Sequence, residues 1–178
     1  MSGTEKMLGT ERRQILVTTL IQSEEPITGR ELGDLTNVSR QVIVGDITLL
    51  KAKGQPIIAT SRGYVYIHPQ IDLLRTEKII VCNHTSEQTK EELNILVDNG
   101  VTVKDVKIEH PVYGDLTASV MVSNRNEVKN FIKNIQKTNA TLLLELTEGI
   151  HLHTLIANSE QEIDNAMDAL RTAGILVE

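Results

Sequence analysis

The 178-residue chain is 40% hydrophobic with no Trp, one Phe and three Tyr, so Leu, Ile and Val must fill its cores, and the composition excludes a disordered chain. No apolar run approaches the roughly 18 residues of a membrane helix, the polar N-terminus MSGTEKMLGTERRQ lacks a signal-peptide core, and a single cysteine, Cys82, excludes an internal disulfide, so a reducing cytoplasm is the expected location. The net charge of −6 is uneven, with eight Lys/Arg against seven Asp/Glu in residues 1–70 and ten against seventeen in residues 71–178, which leaves only the first part unrepelled by an anionic partner.

In chain order, residues 10–23 show a helical stripe of Ile15, Leu16, Thr19 and Leu20. Pro26 ends it, and Thr28 with Glu31 reads as a capping box for a second helix burying Leu32 and Leu35. Ser39 is a good N-cap for a third helix that runs to Lys51 or Lys53 and stops at Gly54. PIIATSRGYVYIH then predicts a hairpin around Ser61-Arg62-Gly63. Three short helices and a hairpin make a winged helix-turn-helix over residues 8–68. Residues 69–77 predict a linker or short connecting helix, with His68 as a structural residue at the domain edge.

The rest, 78–178, alternates. Strands are expected at 79–83, 101–109, 116–122, 140–146 and 149–157, and helices at 86–100, 125–137 and 159–172. This predicts an α+β fold: the winged helix-turn-helix followed by an α/β sandwich domain with a mainly antiparallel sheet. Cys82, inside IIVCN, reads as a buried structural thiol.

On the third helix, Ile43, Ile47 and Leu50 share an arc of roughly 60° and must face the core. Arg40, Gln41, Val44, Gly45 and Thr48 occupy another arc of about 140°. Arg and Gln near a helix N-terminus have the reach to read base edges in a major groove. Ser39 and Arg40 can hold phosphate there, and Arg62 at the hairpin tip suits a phosphate or a narrow minor groove. The plainer alternative is a solvated helix face, which the whole series of elements argues against. Gly45 is costly inside a helix by roughly 1 kcal/mol relative to Ala, so either something approaches the backbone there or the residue is tolerated drift.

EGIHLHTLIA puts His151 and His153 on one face of a strand, about 6–7 Å apart. Imidazoles so placed are ligands for zinc, nickel or iron. His84, at the end of another predicted strand, and Glu92, about two turns into the next helix, would complete a site of three imidazoles and a carboxylate. A pair of partly exposed polar residues, a helix-entry histidine and a solvated glutamate are the plainer readings of the same positions. His110, in EHPVYGDL, precedes Pro111 and is held extended; it is either a solvated turn residue or close to a ligand.

Together VSRQVIVGDITLLKAKG, IIATSRGYVY, the histidine ahead of KEEL, EHPVYGDL and EGIHLHT resemble the niacin-responsive repressors of bacteria, from about Arg12 to Leu176. The resemblance implies a cytoplasmic, non-enzymatic repressor of NAD synthesis and niacin uptake genes that binds double-stranded operator DNA through Ser39–Leu50, with nicotinic acid as co-repressor. It implies a divalent transition metal, nickel or zinc, on His84, Glu92, His151 and His153, and it motivates an effector pocket near His110 and Tyr113. A polar residue is more usual where Gly45 sits. Winged-helix repressors act as two-fold dimers, so a homodimer through the acidic part is expected. Two other readings stay open: a repressor for which the metal is itself the signal, and a metal-dependent hydrolase with an attached winged helix.

Overall fold

The computed structural model describes residues 8–67 and 75–178, in two compact units, Met1–Gln70 and Ile71–Glu178. His68 and most of the expected linker lie outside the described residues. Of the rest of that linker, Thr76 and Glu77 already belong to a strand.

The first unit runs α1 (Gly9–Gln22), α2 (Gly29–Thr36), α3 (Arg40–Ala52), β1 (Ile57–Thr60) and β2 (Gly63–Tyr66). Local chemistry fixes each start. Glu31 N donates to Thr28 Oγ1 at 3.2 Å and Thr28 N to Glu31 Oε2 at 2.8 Å, a complete capping box. Val42 N donates to Ser39 Oγ at 3.4 Å at the head of α3. Beyond the β1–β2 ladder, Ile27 forms a single antiparallel bridge to β2, exchanging backbone hydrogen bonds with Tyr64. Leu16, Leu20, Leu32, Ile43, Ile47, Leu50 and Ile57 form the core.

Leu35 is a correction: it is 57% exposed. The short α2 instead buries Gly29, Leu32, Gly33 and Thr36, the i, i+3, i+4, i+7 face of a helix. Gly33 lets the turn into α3 close, since a Cβ there would stand 2.7 Å from the Val38 carbonyl oxygen. Arg12 Nε and Arg13 Nη1 reach the buried Asp46 carboxylate at 2.6 and 3.0 Å, tying α1 to α3.

The second unit contains β3 (Thr76–Asn83), α4 (Thr89–Asp98), β4 (Thr102–His110), β5 (Gly114–Val122), α5 (Arg125–Thr138), β6 (Ile150–Ala157), α6 (Glu160–Thr172) and β7 (Leu176–Val177). The sheet order is β5-β4-β6-β3-β7, every pair antiparallel. Leu93, Leu96 and Val97 of α4, Val128 of α5 and Ile163, Ala166 and Leu170 of α6 pack on Ile80, Val103, Val120 and Leu155 of the sheet. The fold is therefore the α+β arrangement expected, a helix-turn-helix followed by an antiparallel two-layer domain.

Two elements differ from expectation. Residues 140–146 are not a strand: Leu143–Thr147 form a 3-10 turn. There Glu145 N donates to the Leu142 carbonyl at 3.1 Å and Gly149 N to the Leu144 carbonyl at 2.9 Å, so short-range bonds replace a ladder and the apolar run carries no strand alternation. The two-residue β7 is too short to leave a pattern in the sequence.

Two alanine substitutions separate the glycine roles in the first unit. Gly33→Ala forces a Cβ against backbone and should destabilise it by about 1–3 kcal/mol. Gly45→Ala meets nothing within 4 Å and should stabilise it by about 0.5–1 kcal/mol. Urea unfolding followed by circular dichroism measures both.

Candidate metal centre

The strand register brings the imidazoles together. On β3 and β6, Cys82 lies opposite His151 and Ile80 opposite His153, and opposed residues share a face of the sheet. His84 continues the Ile80, Cys82 alternation just past the end of β3. Glu92 stands in the first turns of α4, which packs on that face. All four candidate side chains are buried: His84 at 6% exposure, Glu92 at 0%, His151 at 1% and His153 at 3%.

Glu92 is the hub. Its Oε2 lies 2.8 Å from His84 Nε2 and 3.3 Å from His153 Nε2, and its Oε1 lies 3.1 Å from His151 Nε2. The His84 and His153 rings each stand near that of His151, with centroids 4.9 Å apart.

The far side of each ring decides what faces Glu92. His84 Nδ1 sits 2.8 Å from the Thr85 carbonyl oxygen, His151 Nδ1 2.8 Å from that of Gly149 and His153 Nδ1 2.7 Å from that of Asp105. A carbonyl only accepts, so each Nδ1 must carry the proton. Every neutral ring then turns a bare Nε2 lone pair toward a carboxylate. His84 Nε2, His153 Nε2 and Glu92 Oε2 have no hydrogen bond despite their close approach. His151 Nε2, 3.1 Å from Glu92 Oε1, can bond it only by taking up a second proton. With every Nε2 bare, these buried groups are acceptors that only a cation, a proton or a metal ion, can satisfy, and three imidazoles plus a carboxylate suit nickel or zinc. The residues fit a divalent transition metal.

The fold is shaped around those carbonyls. The β4 register shifts between Val103 and Asp105, a bulge of the kind that re-aims groups beside functional sites. Asp105 Oδ1 accepts the Thr154 N–H at 3.2 Å, which leaves the Asp105 main-chain carbonyl free for His153. Gly149, at φ +102°, lets β6 begin against the end of β3. A Cβ there would fall 2.6 Å from the His84 carbonyl oxygen and 2.7 Å from Asn83 Oδ1.

Electrostatics agree. Burial works against the Glu92 carboxylate, yet the positive charge and donor protons that the rings offer once protonated, His153 first, hold it well below the usual carboxylate range. Burial lowers the pKa of His84 and His153, and the Glu92 carboxylate outweighs it, so both are raised.

Two features were missed in the sequence. Cys82 is buried as expected, but its Sγ, a Glu92 oxygen and a His151 nitrogen all lie within 4.8 Å of one another. Burial and then Glu92 push its thiol pKa upward. The alternation Ile80, Cys82, His84 was the available signal. Beside the rings, a narrow apolar cleft with a cavity volume of about 30 Å³ is lined by Thr89, Val106, Val120, Phe131, Leu142 and Leu144 together with Glu92, His151 and His153. Thr89 Oγ1 is buried there without a partner. A second, polar cleft reaches His84 past Glu87, Glu145 and Glu148.

His110 and Tyr113 line neither cleft. They sit at the β4–β5 turn, with rings 5.0 Å apart and Tyr113 75% exposed, and His110 Nδ1 accepts from the Val112 and Tyr113 amides. On α3, Arg40, Gln41, Gly45 and Thr48 are exposed and Val44 half-buried, with Ser39 exposed at the cap. Arg62 is partly buried, its Nη1 3.4 Å from Glu25 Oε2.

The raised imidazole pKa values contribute stability below about pH 6.5 that is lost as pH rises through them, and the lowered Glu92 pKa contributes stability that is lost in acid. Metal-free protein should therefore unfold at progressively lower temperature above about pH 6.5, whereas the increment from added nickel or zinc should grow with pH as protons leave Nε2. Melting curves with and without chelator measure both. Gly149→Ala should remove most of that metal-dependent increment.

Residues 77–178 match the 3H domain model and residues 12–65 an HTH domain model. The chain is 57% identical to the transcription repressor NadR of Bacillus subtilis (strain 168) over 178 residues, 99% of each chain. It is 38% identical to the probable transcription repressor NiaR of Thermotoga maritima over 173 residues, 97% of each. The chain belongs to the niacin-responsive transcription repressors, which join a helix-turn-helix to a 3H domain.

Proposed function

We propose that this protein represses genes of NAD synthesis and niacin uptake, binding operator DNA as a cytoplasmic homodimer when nicotinic acid and a divalent metal are present. The observation that carries the regulatory half is the convergence of three Nε2 atoms on Glu92, two of them without a hydrogen bond, in a chain whose relatives are named repressors. His84, Glu92, His151 and His153 hold the metal, nickel or zinc. When bound, it supplies an electrophilic centre for the effector's carboxylate.

The chain does the rest. Phe131, Val106, Val120, Leu142 and Leu144 offer an apolar seat for a flat ring next to His151 and His153, and Thr89 Oγ1 is free to hydrogen-bond the ring nitrogen. The polar cleft, with its three glutamates, admits cations and repels a free carboxylate. The half-buried His110 and the exposed Tyr113, whose rings are neighbours, are the other seat for the effector ring.

On the DNA side, Arg40, Gln41, Val44, Gly45 and Thr48 form the reading face, and Ser39 and Arg62 hold phosphates. Gly45, with open space around it, lets a groove wall approach the helix backbone. No helix among the described residues is long and apolar enough to cross a membrane.

A second reading makes the metal itself the signal, because the cluster alone links β3, α4 and β6. Moving the DNA-competent state from 1:99 to 99:1 needs a preference of about 5.5 kcal/mol from whichever ligand is the switch. Band shifts on operator DNA decide. At fixed nickel or zinc, nicotinic acid should tighten binding at least tenfold, an effect of about 1.4 kcal/mol, and His151→Ala or His153→Ala should abolish that gain. Full binding with metal alone supports the second reading; no specific binding under any condition supports an enzyme. In calorimetry, Phe131→Ala should weaken nicotinic acid binding and Tyr113→Ala should not; the reverse places the ring at the hairpin.

A further inference from the structure

We propose that Cys82 Sγ is itself a ligand of this centre, so that the ion is held by three imidazole nitrogens, a carboxylate and a thiolate. The inference rests on the metal reading above and goes beyond its four residues. Cys82 is directly opposite His151 in the β3–β6 register and 0% exposed. Its sulfur, a Glu92 oxygen and a His151 nitrogen lie within 4.8 Å of one another. Ligands on one ion, with bonds of about 2.0–2.3 Å, stand up to roughly 4.4 Å apart, so small side-chain adjustments bring all three onto one cation.

An independent observation points into the same space. His84 Nε2, His153 Nε2 and Glu92 Oε2 are buried and without hydrogen bonds, on side chains that are 1–4% exposed.

Charge balance argues the same way. Without effector, three neutral imidazoles and Glu92 leave a divalent ion with one uncompensated positive charge in a buried site, and buried net charge is costly. A thiolate at Cys82 neutralises it. The bond formed is sulfur to metal, the bond broken is S–H, and the proton leaves to water. A sulfur donor also gives the centre its selectivity, for zinc, nickel or cobalt over magnesium and manganese.

Cobalt(II) titrated into the metal-free full-length protein tests this. Cys82 is the sole cysteine, so a thiolate-to-cobalt charge-transfer band in the near ultraviolet can come from no other residue. The expected result is that band, saturating at one equivalent alongside the visible cobalt bands. In Cys82→Ser and Cys82→Ala it should be lost while the visible bands persist. Visible bands in the unaltered protein without the charge-transfer band would overturn the thiolate and leave the four-residue centre standing; no cobalt spectrum at all would overturn both. Because the unaltered protein is decisive, a variant that fails to fold does not blunt the test.

Discussion

The second unit is organised around a problem it creates for itself. Three ring nitrogens and a carboxylate, all acceptors, face one another out of reach of water, and each ring is locked in that orientation by a backbone carbonyl behind it. Buried polar groups cost about 1–3 kcal/mol when unsatisfied, more when charged, so such an arrangement persists only if a cation, a proton or a metal ion, completes it. The protonated form is the apo compromise, visible in the raised pKa of His84 and His153 and the lowered one of Glu92. A metal satisfies all the lone pairs at once.

That requirement reaches into the backbone. The β4 bulge supplies the Asp105 carbonyl, Gly149 supplies another while allowing β6 to touch the end of β3, and Thr85 supplies the third from the turn into α4. A ligand at this point thus joins three elements distant in sequence, β3, α4 and β6. Under the proposed function, rigidifying them is the physical route from effector to altered DNA affinity.

Much of this was legible in the sequence, for identifiable reasons. Thr28 with Glu31 and Ser39 marked helix starts through local hydrogen bonds, which short-range patterns encode well. The two-residue period of HLH put both imidazoles on one face; spacing made His84 and Glu92 candidates, and the family resemblance singled them out as ligands. Leu35 misled because a helix as short as α2 gives too few turns to define its buried face. LLLEL misled because an unbroken apolar run carries no period, and there it caps the cleft rather than joining the sheet. The place of Cys82 depended on β3 pairing with β6, a register between segments about seventy residues apart that a single sequence does not reveal. The cleft depended on α5 and the 3-10 turn meeting over the same face.

The most direct measurement is anomalous diffraction from crystals of the nickel- or zinc-loaded protein. The account predicts one peak per chain, about 2.0–2.3 Å from the Nε2 atoms of His84, His151 and His153 and bonded to Glu92. Those four side chains well ordered around a space with no anomalous peak, or a peak bound by other residues, would contradict it.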